Sequence, residues 1–441
     1  MTRRNKIIEL FGHKTKKGMC DKISCLIIVI SILTSVNLFA RQNFANQWIN
    51  FDQEYFKISI SENGIYRLTY NQLENSGFPV SSIDPRRIQL FYKGTELAIQ
   101  LEGQQDGSFD PMDYIEFYAV KNDGSSDTEL YVTPEAQPHT FYNLFSDVSA
   151  YFLTYKLSTD NGKRISSFFE NNVDGIADET SYQKELLQLF SSSYHEGESY
   201  GSTNDIVLSQ YDNYEGWTGS FASRGQSLNL TIQNIINQLE TEVKPKIEVL
   251  LAGGNNNSHN AEIFVGASES FLRSIGTAQF NKDENFLFTT DIEWSDISDS
   301  GELAVRVNVN GVNGGSDRIA FSYIRLIYLH TFDLSGEDNQ KLILKENTFG
   351  KSFIKVLNPS DNSRIWDITN PVNPSNIGIN TSFQELSAVI PNTSENRTLY
   401  LQSQTLVPSL IERALFEPIN PVDYNYLIKF TIKRKYNRRK P

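Results

Sequence analysis

The sequence predicts an all-β protein with two or three β-sandwich-like domains and few short helices, on three observations. Aromatic residues make up 12% of the 441 residues, and aromatic side chains favour strands. Apolar positions mostly alternate with polar ones, which is the period of a half-buried strand. Clusters of glycine, asparagine and proline separate the alternating runs, as turns do in sandwiches.

The clearest predicted strands are four alternating runs, at 56–60, 228–232, 247–251 and Leu303–Val309. The last run is followed by a glycine-rich turn at 310–315 and a further strand at 319–328. Two alternating runs joined by such a turn predict a long hairpin.

Two short helices are predicted between strands. Thr69 and Gln72 have the spacing of a capping box, so residues 70–76 are predicted to form a helix of two turns. Residues 409–416 are predicted to form the other helix.

Polar stretches near 171–182 and 335–340 suggest domain boundaries. We therefore predict a β-sandwich domain over 48–175, a second over 183–332, and a smaller β module over 336–420.

Residues 1–40 are predicted to be a secretory signal peptide, with Met19 as a second candidate start. A basic segment precedes the apolar run 23–40, which ends in a small residue, the order of regions in a signal peptide. A retained membrane anchor is the alternative. The only cysteines are Cys20 and Cys25, so the exported chain is predicted to have no disulfide and no thiolate.

The body of the chain is strongly acidic. Between Ile23 and Ile428 there are 26 Lys and Arg against 51 Asp and Glu, a formal charge of −25. Binding to nucleic acid or anionic membranes depends on Lys and Arg that neutralise phosphates, so neither partner is expected. By contrast, residues 429–441 have seven Lys and Arg and no acid, which predicts a solvated disordered end or a foreign, frame-shifted one.

Three segments, at 55–79, 107–120 and 364–374, resemble in order and spacing the amino-terminal β-rich region of PorU-type sortases of the type IX secretion system. These are gingipain-like cysteine peptidases. Residues 421–428 resemble the start of the family's caspase-like α/β catalytic domain.

The resemblance implies a role in protein secretion. In the family, the β-domains support the peptidase domain and dock it to outer-membrane secretion components. The intact protein cleaves carboxy-terminal sorting domains from secreted cargo and joins the new end to an acceptor such as an anionic lipopolysaccharide. The expected location is the periplasm, the outer membrane or the cell surface, with no integral membrane segment after leader cleavage.

Catalysis in this family needs a cysteine thiolate and a histidine base. The exported chain has no cysteine, and its histidines lie in the β-region. We therefore predict an inactive chain, truncated before the catalytic domain, with no catalytic residue. The alternative functions are a surface adhesin or carbohydrate-binding β-sandwich protein and, third, a glycoside hydrolase.

One weak metal site is suggested by oxygen donors at alternate positions, which suit calcium. Its residues are Asp106, Asp110 and Asp113. The competing interpretation is that these aspartates close turns before a strand at 114–118. Apart from this calcium candidate, no cofactor is expected.

Two further groups of residues have competing interpretations. His195 to Glu198 lacks a second histidine at metal-binding spacing and is predicted to be a solvated loop. Exposed-looking aromatics with neighbouring acids resemble a sugar-stacking platform, although packing of a strand and turn is the favoured interpretation. The platform residues are Tyr211, Tyr214, Trp217, Asp212, Glu215 and Gln226.

Overall fold

The computed structural model describes residues 46–199, 209–335 and 337–418. The predicted leader, the catalytic-domain start at 421–428 and the basic tail lie outside these ranges. The chain divides into a unit over Met1–Asn50 and a second over Phe51–Pro441. In the described part of the first unit, the Ile49 amide donates to the Asn46 carbonyl at 3.0 Å.

The described strands all lie in the second unit. In chain order they are β1 Tyr55–Ile60, β2 Gly64–Thr69, β3 Ile88–Tyr92, β4 Thr95–Leu97, β5 Gln100–Glu102, β6 Tyr114–Ala119, β7 Ser149–Tyr155, β8 Ser166–Phe168, β9 Ala177–Glu179, β10 Ser181–Leu189, β11 Ser193–His195, β12 Gly216–Thr218, β13 Ala222–Ser223, β14 Ser227–Ile232, β15 Lys246–Gly253, β16 Ser258–Ser268, β17 Phe271–Asn281, β18 Asn285–Asp291, β19 Leu303–Val309, β20 Arg318–Thr331, β21 Gln340–Leu344, β22 Lys351–Leu357, β23 Arg364–Asp367, β24 Ser375–Ile377, β25 Asn380–Ser382, β26 Glu385–Pro391, β27 Arg397–Gln402 and β28 Leu410–Ala414.

Helices are few and short, and the all-β fold class is confirmed. The described α-helix is α1, Tyr70–Asn75. The described 3-10 helices are Pro85–Arg87, Gln104–Asp106, Gly124–Ser126, Thr128–Leu130, Pro134–Ala136 and Trp294–Asp296. Among the described helices, none is long and apolar enough to cross a membrane.

The first sandwich packs a five-stranded sheet, in the order β28-β1-β7-β3-β4, on a three-stranded sheet, β2-β6-β5. Both sheets contribute alternate side chains to one core. Its fully buried members include Ile58, Leu90, Ile115, Phe117 and Leu153.

A ten-stranded sheet is shared by two further cores. Its main order is β18-β15-β20-β10-β21-β27-β23-β24-β8, and β13 pairs with β20. The β15 and β20 part packs on the sheet β14-β19-β16-β17, while the β21 and β27 part packs on the sheet β25-β26-β22-β9. Strands from both sides of the predicted boundary at 332 therefore lie in one sheet, and the predicted division into domains stays a prediction.

The predicted hairpin of Leu303–Val309 with 319–328 is wrong. Strand β19 pairs with β14 and β16, whereas β20 pairs with β10, β13 and β15 in the facing sheet. The connection crosses the sandwich, and buried side chains of the two strands, such as Val307 and Phe321, belong to the same core. Alternation shows that one face of each strand is buried, but it does not show which strand lies alongside.

One predicted helix is confirmed, and the other is wrong. The Gln72 amide donates to Thr69 Oγ1 at 3.4 Å and the Thr69 amide donates to Gln72 Oε1 at 2.8 Å, which forms the capping box of α1. Residues Leu410–Ala414 form β28, an antiparallel neighbour of β1 in which Ile411 pairs with Ile58.

Candidate functional site

The predicted calcium residues lie in two consecutive turns before β6. Asp106 ends a 3-10 helix, and its Oδ1 accepts from the Ser108 amide at 2.9 Å. Asp113 Oδ2 accepts from the Asp110 amide at 2.8 Å. These contacts agree with the turn interpretation. Within the described ranges, no group of three His, Cys, Asp or Glu side chains is placed to hold a metal ion, so the calcium site gains no support.

Glu116 joins the first sandwich to the ten-stranded sheet. The carboxylate is fully buried on β6. It accepts from Arg67 Nε on β2 at 2.8 Å and from Arg364 Nη1 on β23 at 2.6 Å. The Arg67 guanidinium also lies 3.9 Å from the centre of the Tyr114 ring. We call Glu116, Arg67 and Arg364 the Glu116 hub; the two arginines share one buried carboxylate that links two sheets, so it is a structural element.

Three of the six residues of the alternative sugar-stacking platform are buried. Tyr211 is 4% exposed, and Asp212 and Glu215 are buried beside it. Glu215 Oε1 accepts from Tyr194 Oη at 2.7 Å and Oε2 accepts from the Asp212 amide at 2.7 Å. For these three residues, packing of strand and turn, the favoured interpretation, is therefore confirmed. Gln226 is exposed in a separate turn, where it accepts from the Ser223 amide at 2.7 Å.

A long connection between β6 and β7 covers this region. It carries three 3-10 helices over 124–136, and its aromatic residues pack against β10, β11 and β12. Tyr131 Oη donates to the Glu215 carbonyl at 2.7 Å, and Tyr142 Oη donates to the Trp217 carbonyl at 2.8 Å. The connection thereby fixes the strand that carries Trp217.

An open cleft of about 400 Å³ lies where this connection meets β10 and β12. We call it the Trp217 cleft. Trp217 is half-buried and Phe145 is 53% exposed, and both side chains contribute to its wall. Lys121 and Asp147 supply charges at the same wall. Of the predicted platform residues, only Trp217 lines the cleft, and sequence analysis did not identify Phe145, Lys121 or Asp147.

His195 is not in a solvated loop, as the sequence suggested. It ends β11 and is 6% exposed. Its Nε2 lies 2.8 Å from the Gly253 carbonyl, and its Nδ1 accepts from the Gly197 amide at 3.2 Å. Because both ring nitrogens are hydrogen-bonded to backbone groups, His195 has a structural role.

His259 has a buried carboxylate partner. Its Nδ1 lies 2.5 Å from Asp317 Oδ1 and its Nε2 lies 2.5 Å from the Lys282 carbonyl, and both side chains are completely buried. The ring links the start of β16 to two turns at the same end of the sandwich and has no exposed edge from which to act on a substrate.

A third charged cluster lies where β10 meets β20 and the connection to β21. Lys184 Nζ contacts Glu337 Oε1, and Glu337 Oε2 lies 2.8 Å from His330 Nε2. Lys184 is 6% exposed and His330 is completely buried. Burial lowers the Lys184 pKa to about 8 and the His330 pKa to about 4. We call these three residues the Lys184 cluster. Sequence analysis missed it, although Lys184 alternates with Tyr182 and Leu186 on β10, a spacing that places a cation on the inner face.

Comparison with known proteins gives one informative structural likeness. No family model matches the sequence, and no curated protein matches it. The crystal structure of dimeric latent PorU from Porphyromonas gingivalis is similar over 83% of this chain and 33% of its own, with a TM-score of 0.56 and 14% identity. The chain thus has a PorU-like, β-rich fold and spans about a third of the length of PorU.

Two further structures match much less well. A carbohydrate-binding module CBM36 in complex with calcium and xylotriose covers 33% of this chain and 98% of its own at 11% identity, with a TM-score of 0.18. The VP2 subviral particle protein of infectious bursal disease virus covers 87% and 89% at 10% identity, with a TM-score of 0.22. Likenesses at these TM-scores carry no argument about fold or function.

Proposed function

We propose that this chain is the non-catalytic β-rich region of a PorU-like sortase of the type IX secretion system. In this role it supports the peptidase domain and docks it to outer-membrane secretion components, from the periplasm or the cell surface. The observation that carries the proposal is the PorU-like fold over 83% of the chain.

Rigid connections between the cores support a scaffold role. The ten-stranded sheet continues from one core into the next, and the Glu116 hub joins it to the first sandwich. Arg164 anchors the segment that leads to β8 on the first sandwich, because its guanidinium donates to the Ile88, Pro85 and Arg86 carbonyls at 2.8–3.1 Å. A partner bound at one module would therefore keep a fixed position relative to the others.

The charges of the chain favour a protein partner over an anionic surface. The formal charge is −13 over the whole sequence, and acidic surfaces repel phosphate-rich partners. Cargo proteins and secretion components with basic patches are the expected partners. The described residues contain no cysteine, so the proposed role assigns the chemistry to a peptidase domain and not to this region.

The test is capture of identified secretion components. Immobilised full-length chain is incubated with detergent-solubilised outer membranes from a bacterium with a type IX system, and bound proteins are identified by mass spectrometry. We expect type IX components to be enriched over an unrelated β-sandwich protein of equal net charge. Equal recovery on both baits at 0.15 M salt would reject the docking role. Peptide cleavage blocked by a thiol-directed inhibitor would reject the non-catalytic role.

The Trp217 cleft favours carbohydrate binding as a second candidate function. Its volume of about 400 Å³ falls in the range of small-ligand pockets, and exposed aromatic faces with nearby polar groups suit a sugar ring. Glycan-array binding that Trp217→Ala abolishes would support this candidate. Phe383→Ala is the matched control, since Phe383 is an aromatic 90% exposed in the turn between β25 and β26. No binding, or equal loss in both variants, would reject it. No described contact favours a glycoside hydrolase.

A further inference from the structure

The Lys184 cluster places an amine, a carboxyl group and an imidazole together inside the protein. Lys184 lies on β10 and pairs with Tyr328 of β20, while Tyr182 pairs with His330. The rings of Tyr182 and Phe332 pack around the cluster, with Tyr182 4.9 Å from His330 and 5.4 Å from Phe332 between ring centres. These surroundings are mainly aromatic. An ammonium and a carboxylate placed here therefore lose most of the hydration that stabilises their charged forms in water.

The hydrogen-bonding of His330 fixes where one proton lies. His330 Nδ1 is 2.5 Å from the Thr331 carbonyl, and a carbonyl only accepts, so Nδ1 carries a hydrogen. In the neutral ring Nε2 then has a bare lone pair, 2.8 Å from Glu337 Oε2. A bare nitrogen and a bare carboxylate oxygen at that distance repel each other, so one of the two must hold a proton.

The protein environment favours that proton on Glu337. Burial holds the His330 pKa near 4 and so disfavours the imidazolium. Burial also lowers the Lys184 pKa to about 8, so the ammonium predominates at neutral pH and the free amine is a minor form that grows as the pH rises. The other charged group near the ring, Asp333, is already bonded to Ser335 and Asn358. The reacting state is the fraction with an uncharged amine in contact with a carboxylic acid, the two species from which an amide forms.

We propose that Lys184 and Glu337 condense to an internal amide, with His330 as the proton carrier. Lys184 Nζ forms a bond to Cδ of Glu337, and the bond from Cδ to the hydroxyl oxygen breaks. One proton of the amine passes through His330 Nε2 to the departing hydroxyl, which leaves as water. The reaction consumes no oxidant or cofactor and replaces two buried ionisable groups with one neutral group.

The amide would join two segments that are 153 residues apart in the chain. It would lie where the ten-stranded sheet passes from one core to the next. A covalent link across so long a loop restricts the unfolded chain, as a disulfide does, and the predicted exported chain has no cysteine to supply a disulfide.

Peptide mapping of the full-length chain tests the proposal. Trypsin cannot cut after an acylated Lys184, so residues 165–224 should be recovered joined to residues 326–341, with a mass about 18 Da below the sum of the two peptides because one water is lost. The link should survive boiling in detergent. Recovery of residues 165–184 as a free peptide from most of the folded protein would overturn the proposal.

Two variants and an internal control sharpen the result. Lys184→Arg keeps a cation beside Glu337 but removes the nucleophilic amine, so the joined peptide should disappear. His330→Gln should slow formation of the joined peptide by about 100-fold or more, the lower end of the effect of proton transfer by a positioned group. The Lys351 and Glu170 pair is the control. It has a similar ionic contact at 2.6 Å, but its side chains are 44% and 27% exposed, and it should give no joined peptide. Joined peptides from both pairs would indicate non-specific chemistry and would also overturn the proposal.

Discussion

Glu116→Gln should destabilise the protein by about 3 kcal/mol, since removing one member of a buried ion pair costs about 3–5 kcal/mol. The substitution keeps the shape of the side chain but removes the charge that Arg67 and Arg364 share. The arginine side chains are 35% and 24% exposed, so water still solvates part of each guanidinium. We therefore expect the lower end of that range.

Urea unfolding measures this loss. The midpoint should fall with no change in the slope of free energy against urea concentration, because the folded and unfolded surfaces stay the same. The exposed pair of Lys57 and Glu412, 38% and 48% exposed at 3.0 Å, provides the control. Glu412→Gln should cost at most about 1 kcal/mol and should lose its effect in 1 M salt, where charges are screened within about 3 Å.

Comparable losses in Glu116→Gln and Glu412→Gln would refute the reasoning, because burial would then have no influence on the value of the pair. A double-mutant cycle with Arg364→Met separates the ion pair from local packing. Contacting residues usually give coupling of about 0.5–3 kcal/mol, and we expect a value near the upper end. Strict additivity would show that Arg364 does not contribute through Glu116.

Three more predictions concern single positions. Gly103→Ala should lower the free energy of unfolding by more than the roughly 1–2 kcal/mol that a left-handed backbone costs, since an added Cβ would lie 1.7 Å from Asp113 Oδ1. Gly77→Ala is the control, because it has the same backbone strain with no atom within 4 Å of the added Cβ. Equal losses for the two variants in urea unfolding would contradict the clash. His139→Asn should flatten the fall in stability between pH 6.5 and 4, because burial lowers the pKa of His139 and the unfolded chain binds the extra proton; an unchanged pH profile would reject this. Arg164→Lys should destabilise by about 1–3 kcal/mol, since a lysine cannot replace the forked donors that hold the three carbonyls; a Tm within error of the parent would contradict it.

Local signals in the sequence predicted the elements whose causes are local. The capping box of α1 needs only Thr69 and Gln72, and the strand at 303–309 needs only its own alternation. The helix predicted over 409–416 is wrong because β28 is specified by pairing with β1. In that pairing Leu410 lies opposite Ser59, about 350 positions away in the chain. No short window contains that information.

The site residues also divide into those with a local signal in the sequence and those whose surroundings depend on distant segments. Tyr211 was favoured as a packed residue, with a sugar-stacking platform as the alternative, and the acids that flank it are themselves buried and bonded to Tyr194 and to backbone amides. A short window cannot show that a distant connection covers them. Lys184 did carry a local signal, through its alternation with Tyr182 and Leu186, whereas its partner Glu337 lies 153 residues away.

Rigidity links the stability predictions to the proposed function. A docking surface can orient a peptidase only if the modules between partner and peptidase do not bend. In this chain the modules meet through the Glu116 hub and through a shared sheet, and Arg164 holds the segment that leads to β8 against the first sandwich. Glu116 is buried and cannot touch a partner. If Glu116→Gln weakens capture of secretion components under conditions in which each core stays folded, the Glu116 hub is needed to hold the modules in the arrangement that docking requires. If capture is unchanged, docking is confined to a single module.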